Sequence, residues 1–239
     1  MNNNDLIISS KEKVVPLDRI KFSQENKDKL NQLLKEFKYI ETLKQYELPV
    51  DNKLLLFGHT GCGKTTTAKA IADFLNKKIF VLNLGTIVSS RLGETAKNIT
   101  NVFKIATREN AVLFIDEFDY IGRIRDYDKK DSGEMKRLVN TIIQLIDYLP
   151  DSTLLIAATN HSSIIDTALL RRFQLKLKFT LPTNTELDQF YDSLLEQYPE
   201  TYRVLNRCYG ISYAEAKDNV YREVKKRIIE VEESKEVIK

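Results

Sequence analysis

The sequence has little of what marks a secreted, metal-stapled or membrane protein. Its 239 residues include only two cysteines, Cys62 and Cys208, and no CxxC pair, so we expect neither a disulfide framework nor a cysteine metal site. No apolar run approaches the roughly 18 residues of a membrane span. The first residues also lack the apolar core of a signal peptide. We therefore expect an intracellular, cytoplasmic protein with no membrane contact.

Charge says little about a partner. The chain carries 37 Lys and Arg residues against 34 Asp and Glu residues, a formal net charge of +3, which is too weak a bias to indicate nucleic acid. The densest basic tract, residues 225–227, stands among glutamates in a helical pattern that is typical of a solvated helix face. With 42% hydrophobic residues, the chain is predicted to form one large globular domain, or a domain with a small appendage.

Strand-like and helix-like patterns alternate through the middle of the chain. Apolar runs predict strands, with helical patterns between them, at 53–57, 78–84, 111–116, 153–159 and 174–180. A helical pattern precedes them at 24–46, after a short stretch that is predicted to be extended, and only helical patterns follow, at 185–198 and 212–233. We predict an α/β fold with a parallel five-stranded sheet sandwiched by helices, plus a small C-terminal all-α lid. The alternating run at 174–180 is predicted to be an edge strand with one wet face.

This pattern divides the chain into three parts. Residues 1–45 are predicted to form an N-terminal arm and helix, residues 46–181 the large α/β part, and residues 182–239 the helical lid. The short arm lacks the bulk of a recognition domain, so we expect recognition of a partner to come from a face of the large part, from the arm or from a partner protein.

A glycine-rich turn follows the first predicted strand and opens a helix. It matches the P-loop pattern GxxxxGK[ST] without a gap. Its residues are Gly58, His59, Thr60, Gly61, Cys62, Gly63, Lys64, Thr65 and Thr66. Glycines allow backbone N–H groups to approach phosphate oxygens, and the helix adds its positive end. Lys64 is predicted to reach the β and γ phosphates of ATP, and the Thr65 hydroxyl to ligate Mg²⁺.

Two adjacent carboxylates end the third predicted strand, in VLFIDEFD. Carboxyl ends of parallel strands share one edge of the sheet, so this pair is expected beside the P-loop. Asp116 is predicted to hold Mg²⁺ through water, and Glu117 to orient or deprotonate the attacking water. A small-molecule kinase needs no such glutamate, so the pair favours hydrolysis. Asp119 is interpreted as a cap or surface acid.

Polar and basic residues follow the fourth predicted strand. Asn160 ends LLIAATN, where its amide can help to position the water. Arg171 and Arg172 follow in ALLRRF. They are either a surface ion-pair site or arginine fingers that stabilise the γ phosphate of a neighbouring subunit.

The four motifs, in this order and followed by a helical lid, resemble the AAA family of ATPases over roughly residues 45–235. The resemblance implies a ring, usually hexameric, that binds ATP and Mg²⁺ between subunits. It implies Asn160 as sensor 1 and Arg171 and Arg172 as trans-acting fingers. Their spacing is shorter than in the family, which leaves open which one reaches the phosphate. Tyr46 and Leu48 resemble the segment leading into the adenine pocket, and Gly210 and Ala214 the lid turn over the nucleotide.

The loop after the second predicted strand departs from the family. In the family's protein unfoldases an aromatic, an aliphatic residue and a glycine grip the threaded chain there. This chain has Arg91, Leu92 and Gly93, and arginine grips apolar side chains less well than an aromatic ring. Tyr127, in the polar loop 122–133, is a candidate for a second pore loop. The alternative is that both loops are merely solvated.

The favoured function is that of a ring-forming ATPase that remodels or unfolds a protein partner. A remodeller or loader of nucleic acid is less favoured, because the charge is weak and the lid has the form typical of the AAA clade proper. A small-molecule kinase is disfavoured by Glu117, Asn160 and the paired arginines. A slow, nucleotide-gated assembly scaffold stays open.

Overall fold

The computed structural model of the chain describes residues 14–84, 92–123, 132–165 and 167–237. The chain forms two compact units. The first comprises the residues up to Gly58 together with Lys64–Lys178, and the second comprises His59–Gly63 together with the residues from Phe179 onward. Among the described helices, none is both long and apolar enough to cross a membrane.

A five-stranded parallel sheet with flanking helices organises the first unit, which confirms the predicted α/β fold. The strands are β1 (Lys53–Gly58), β2 (Ile79–Asn83), β3 (Val112–Asp116), β4 (Leu154–Thr159) and β5 (Leu175–Phe179). Their order across the sheet is β2-β3-β4-β1-β5. In register, Phe57 of β1 faces Thr159 of β4, and Asn83 of β2 faces Asp116 of β3. The carboxyl ends of β1, β3 and β4 therefore lie side by side.

Burial follows each strand's place in the sheet. Every residue of the central strand β4 is buried, as expected for a parallel strand covered on both faces. Strand β5 is at the edge, and it exposes Lys176 and Lys178 while it buries Leu177. The prediction of an edge strand with one wet face is confirmed, and the exposed lysines protect that edge from pairing with another chain.

Seven helices of the first unit fall within the described residues. They are α1 (Gln24–Lys38), α2 (Ile40–Gln45), α3 (Lys64–Phe74), α4 (Leu92–Arg108), α5 (Tyr120–Arg123), α6 (Ser132–Asp147) and α7 (Thr167–Leu170). Short 3₁₀ turns occupy Leu17–Arg19 and Ser162–Ile164. The single helix predicted over 24–46 is in fact two, because Tyr39 leaves helical geometry with φ −110° and ψ 21°. The stretch before it contains a 3₁₀ turn, so it is not simply extended.

Helices α4 and α6 pack on the sheet and on each other through apolar faces. The buried side chains at this contact include Ile99 and Phe103 of α4 and Val139 and Ile142 of α6. Each such side chain contributes roughly 1.5–3 kcal/mol on burial. This packing holds the strand ends in place, and the candidate site is built on those ends.

The second unit has a small helical core of its own. It contains α8 (Asn184–Leu195), a 3₁₀ turn at Glu200–Tyr202 and α9 (Tyr213–Val237). Thr183 and Glu186 form a capping box that starts α8. Tyr191 is fully buried, and its hydroxyl donates to the Cys208 carbonyl at 3.1 Å and accepts from the Cys208 N–H at 3.2 Å. This all-α part was predicted; the boundaries at residues 45 and 181 stay a prediction.

Candidate nucleotide-binding site

The glycine-rich turn leaves the carboxyl end of β1 and enters α3. Gly58, Gly61 and Gly63 have φ values of 125°, 70° and 99°. Side chains with a Cβ rarely adopt this left-handed region, so the turn needs glycine at these positions. Lys64 is buried, and its amine donates to the Gly58 carbonyl at 2.8 Å. The lysine amine is thus held at the carbonyl of the residue that opens the loop.

The middle of the turn belongs to the second unit. The Ala214 N–H donates to the Gly61 carbonyl at 3.1 Å, and the His59 N–H donates to the Phe179 carbonyl at 3.0 Å. Ser212 and Glu215 form a capping box at the start of α9: Glu215 Oε2 accepts from the Ser212 N–H, and Ser212 Oγ accepts from the Glu215 N–H. These hydrogen bonds from Ser212 hold the pKa of Glu215 below its usual value. The start of α9 is therefore fastened directly to the glycine turn.

The remaining residues of the turn that carry side chains differ in exposure. Cys62 is buried and His59 and Thr60 are exposed, while Thr66 is half-buried in the first turn of α3. Burial, with smaller contributions from Glu186 and Cys62, raises the pKa of Tyr213 to about 12. Tyr213 is therefore an uncharged, packed side chain at neutral pH, and its ring meets Phe190 edge-on at 4.9 Å.

The two predicted Mg²⁺ ligands meet in the first unit. The Thr65 hydroxyl donates to Asp116 Oδ2 at 3.2 Å. A hydroxyl beside a carboxylate suits Mg²⁺, which takes oxygen ligands and completes its shell with water and phosphate. Within the described part of the chain, no group of three His, Cys, Asp or Glu residues could hold a metal by itself. The donor set therefore fits an ion that arrives with a nucleotide.

Glu117 follows Asp116 in an unusual backbone conformation. Its φ is 54°, and its N–H donates to Asp116 Oδ1 at 2.9 Å. A left-handed conformation in a non-glycine residue persists only where the surroundings enforce it, and such residues cluster at functional sites. The side chain is exposed at the sheet edge that also carries Asp116 and Thr65. The Glu117 carboxylate is therefore open to solvent at the end of β3, next to the two predicted Mg²⁺ ligands.

Asp119 was interpreted as a cap or surface acid, and the surface interpretation is wrong because the residue is buried. It is only 6% exposed, and its Oδ1 accepts a hydrogen bond from the Thr159 hydroxyl at 3.0 Å. The N–H of the preceding Phe118 donates to the Ala158 carbonyl at 2.8 Å. The segment after Glu117 thus turns back onto the end of β4, where sequence patterns gave no sign of a buried acid.

Asn160 is exposed at the tip of β4, directly after Thr159. Because β4 lies between β1 and β3 in the sheet, Asn160 follows a strand end that is flanked by the carboxyl ends of β1 and β3. The adjacent His161 N–H donates to Thr159 Oγ1 at 2.9 Å, which forms a tight turn after the strand.

The two arginines occupy different environments at the end of α7. Arg172 Nε and Nη2 donate to the two carboxylate oxygens of Asp147 at 2.7 and 2.8 Å. A further nitrogen of Arg172 donates to the Ala168 carbonyl. The Arg172 side chain is 17% exposed, whereas Arg171 is an exposed residue.

Asp147 places this pair near the amino end of β1. Asn52, which precedes β1, donates to the carbonyls of Pro150 and Thr153. Burial lowers the pKa of Lys53, the first residue of β1, and the charges of Asp151 and Asp147 partly oppose that shift. Lys64 and Asp116 are at the carboxyl ends of the strands, so about 17 Å of strand separates the two regions at roughly 3.3 Å per residue.

The remaining predicted site residues are more scattered. In the first unit Tyr46 and Leu48 are 73% and 51% exposed. In the second unit Gly210 has φ 70°. Leu92 and Gly93 begin α4, while Arg91 and Tyr127 lie outside the described residues.

The roles of four residues were missed by reasoning from the sequence. Ser212 with Glu215 has the S-x-x-E spacing of a capping box and could have been recognised. Asp147 and Thr159 carry no local signal, because each acquires its role through a partner distant in the chain.

Comparison with known proteins agrees with this geometry. The family model described as ATPase family associated with various cellular activities (AAA) matches residues 54–181, more than half of the chain. An uncharacterized AAA family ATPase, y4kL, of Sinorhizobium fredii is 36% identical over 201 residues, covering 83% of this chain and 61% of that protein.

Two archaeal relatives are matched over a smaller share of their own length. A putative 26S proteasome regulatory subunit homolog of Methanothermobacter thermautotrophicus is 27% identical, covering 68% of this chain and 44% of its own. A proteasome-activating nucleotidase of Methanopyrus kandleri is 38% identical, and the match covers 54% of this chain and 31% of that protein. The chain thus spans less than two thirds of each of these relatives.

Proposed function

Because the chain belongs to the AAA family of ATPases, we propose that it assembles into a ring, a hexamer, whose ATP hydrolysis remodels or unfolds a protein partner. The observation that carries the proposal is the position of the two arginines. Arg172 is anchored to Asp147 near the amino ends of the strands, whereas Lys64 and Asp116 are at the carboxyl ends. An arginine in this region, at Arg171 or Arg172, would serve the phosphate of an adjacent subunit, and a closed ring of heterologous contacts gives every site such a neighbour.

Each site then combines groups from two subunits. The glycine turn and Lys64 hold the phosphates, and Thr65 and Asp116 hold Mg²⁺. Bound Mg²⁺ would neutralise charge on the phosphate oxygens. Glu117 accepts a proton from the attacking water or orients it, and Asn160 positions that water. The neighbour's arginine offsets the charge that develops on the transferred phosphoryl group.

A mixing experiment tests the shared site. One variant, Glu117→Gln, lacks the water-activating carboxylate but keeps both arginines. The other replaces Arg171 and Arg172 with alanine but keeps Glu117. Each variant alone is expected to be nearly inactive. A site is complete only where a subunit that keeps Glu117 meets a neighbour that keeps both arginines. In a 1:1 mixture this holds at about a quarter of the interfaces, so about a quarter of wild-type activity should return.

The control is a mixture of Glu117→Gln with Lys64→Ala, in which no subunit has both Lys64 and Glu117. It should stay inactive, because neither variant supplies a hydrolytic site. If the first mixture is also inactive while wild type hydrolyses ATP, the arginines act within their own subunit and the ring proposal fails. Mass photometry with ATP gives the oligomer size independently.

We propose a protein as the partner, since two relatives are named for the proteasome. We propose that the chain works in the cytoplasm; its two free cysteines, Cys62 and Cys208, are compatible with a reducing compartment. An unfolded protein such as reduced casein should stimulate hydrolysis severalfold. Stimulation by DNA or RNA instead, lost steeply as salt rises, would show a nucleic-acid remodeller.

A further inference from the structure

A buried carboxylate that the proposed mechanism does not use lies between the two water-handling residues. Asp119 is two residues beyond Glu117, and its hydrogen-bond partner Thr159 is directly before Asn160. Both partners are almost completely buried, with 6% and 1% of their surface exposed. A hydrogen bond shielded from water is electrostatically stronger than an exposed one.

The Asp119 side constrains the glutamate. Glu117 adopts φ 54°, a conformation that costs about 1–3 kcal/mol and must be imposed by neighbouring contacts. Three hydrogen bonds lie around this residue. The Glu117 N–H donates to the Asp116 carboxylate, and the Glu117 carbonyl accepts from the Tyr120 N–H at 2.9 Å. The Phe118 N–H donates to the Ala158 carbonyl. The Phe118 ring is fully buried and packs edge-on against Phe173 at 5.4 Å. The Asp119 side chain adds a hydrogen bond with the Thr159 hydroxyl, which joins this turn to the end of β4.

The Thr159 side constrains the amide. Thr159 ends β4, and its hydroxyl oxygen has two roles: it donates to Asp119 and accepts from the His161 N–H at 2.9 Å. Asn160 lies between the two residues of that turn. One hydroxyl therefore fixes the backbone on both sides of Asn160 and ties it to the segment that carries Glu117.

We propose that Asp119 is a positioning residue, which acts through Thr159 to hold Glu117 and Asn160 at a fixed separation around the attacking water. This inference rests on the proposed ATPase function. Asp119 and Thr159 do not touch nucleotide in this role. Their loss should slow hydrolysis without weakening nucleotide binding, because the P-loop contacts are made elsewhere. Displacing a reacting group by about 1 Å can cost up to a hundredfold in rate.

The chain offers a matched control for removing the hydroxyl. Thr153 directly precedes β4 and Thr159 ends it, and both are buried. The Thr153 hydroxyl has no hydrogen-bond partner among the described residues. Thr159→Val and Thr153→Val therefore remove the same atom from the two ends of one strand. Only the first breaks the connection to Asp119.

The measurements are kcat for ATP hydrolysis at 25 °C and the Kd of a fluorescent ATP analogue. Thr159→Val should lower kcat about tenfold or more and change Kd less than twofold, whereas Thr153→Val should change neither. Thr159→Ser restores the hydroxyl and should recover most of kcat. A purely structural role for Thr159 would lower the melting temperature and leave kcat of the folded protein unchanged.

Asp119→Asn provides a second variant, should Thr159→Val fail to fold. It keeps the shape of the side chain but exchanges the carboxylate for a weaker acceptor, and should lower kcat severalfold with Kd unchanged. The inference is overturned if kcat of these variants stays within twofold of Thr153→Val, or if kcat and affinity fall together. Failure of the proposed function is seen separately, as a wild-type protein whose turnover does not depend on Glu117.

Discussion

Arg172 donates two hydrogen bonds to the carboxylate of Asp147, whereas the neighbouring Arg171 is exposed. A bidentate guanidinium–carboxylate pair is directional and holds the arginine in one orientation. A guanidinium committed to a carboxylate of its own subunit is a poor partner for a phosphate. We therefore expect Arg171 to be the residue that reaches the neighbouring nucleotide, and Arg172 to hold the end of α7 in place.

Separate substitutions distinguish these roles. Arg171→Ala should lower kcat by about a thousandfold, the usual effect of removing an arginine finger, with an unchanged melting temperature. Arg172→Ala should lower the melting temperature, because it leaves the Asp147 carboxylate unpaired, and should lower kcat much less. Single-turnover hydrolysis and thermal denaturation on the same samples measure both effects.

Asp147→Asn is the matched control for Arg172. It weakens the ion pair from the other side and leaves both arginines in the chain. Its effects should resemble those of Arg172→Ala if Arg172 only positions the segment. The opposite ranking, in which Arg172→Ala abolishes hydrolysis and Arg171→Ala does not, would assign the finger to Arg172.

Much of the fold could be predicted from local patterns. The apolar run before Asp116 and the glycine turn after β1 each encode their element within a few residues. The alternation of Lys176, Leu177 and Lys178 likewise identified an edge strand. Such signals are local because they reflect burial on one face or freedom of φ.

What could not be predicted depends on pairs distant in the chain. Asp119 resembles a loop acid until Thr159, 40 positions away, is known to donate to it. The different environments of Arg171 and Arg172 depend on Asp147 at the end of another helix. The break between α1 and α2 at Tyr39 interrupts an apolar periodicity that continues through it, so the pattern alone predicted one helix.

Gly61 is predicted to be intolerant of any side chain. A Cβ there would lie 2.6 Å from Ser212 Oγ and 3.0 Å from the Ala214 Cβ, and the φ of 70° adds strain. Gly61→Ala should therefore displace the glycine turn from the start of α9. We expect a loss of ATP affinity of at least about tenfold and a lower melting temperature, by about 2–4 °C per kcal/mol of strain.

Gly133→Ala is the control for Gly61→Ala. Gly133 lies in α6, is exposed and has nothing within 4 Å of an added Cβ. Alanine favours a helix over glycine by about 1 kcal/mol, so this variant should bind ATP normally and be at least as stable as wild type. Normal ATP binding by Gly61→Ala in a fluorescence titration would show that the turn can adapt.

Asp51 is predicted to make stability depend on pH. It precedes β1, and its N–H donates to Glu36 Oε2 at 2.9 Å. Burial, and then the nearby charge of Glu36, raise the pKa of Asp51 above its usual value, while Lys53 partly opposes the shift. The folded state thus disfavours the charged carboxylate. The contribution of Asp51 to the free energy of unfolding is fully present below its unfolded pKa of about 3.9. It is lost as the pH rises through the folded pKa of Asp51.

Asp51→Asn should therefore raise the melting temperature at pH 7, because the amide has no charge to bury. The gain should shrink as the pH is lowered toward 4, where the wild-type carboxyl is itself increasingly neutral in the folded state. Asp73→Asn, at an exposed position near the end of α3, makes the same change in net charge and controls for it. Thermal denaturation of the three proteins between pH 4 and 8 measures the difference. An equal gain from both substitutions would assign the effect to overall charge, and a gain from Asp51→Asn that grows at low pH would contradict the raised pKa.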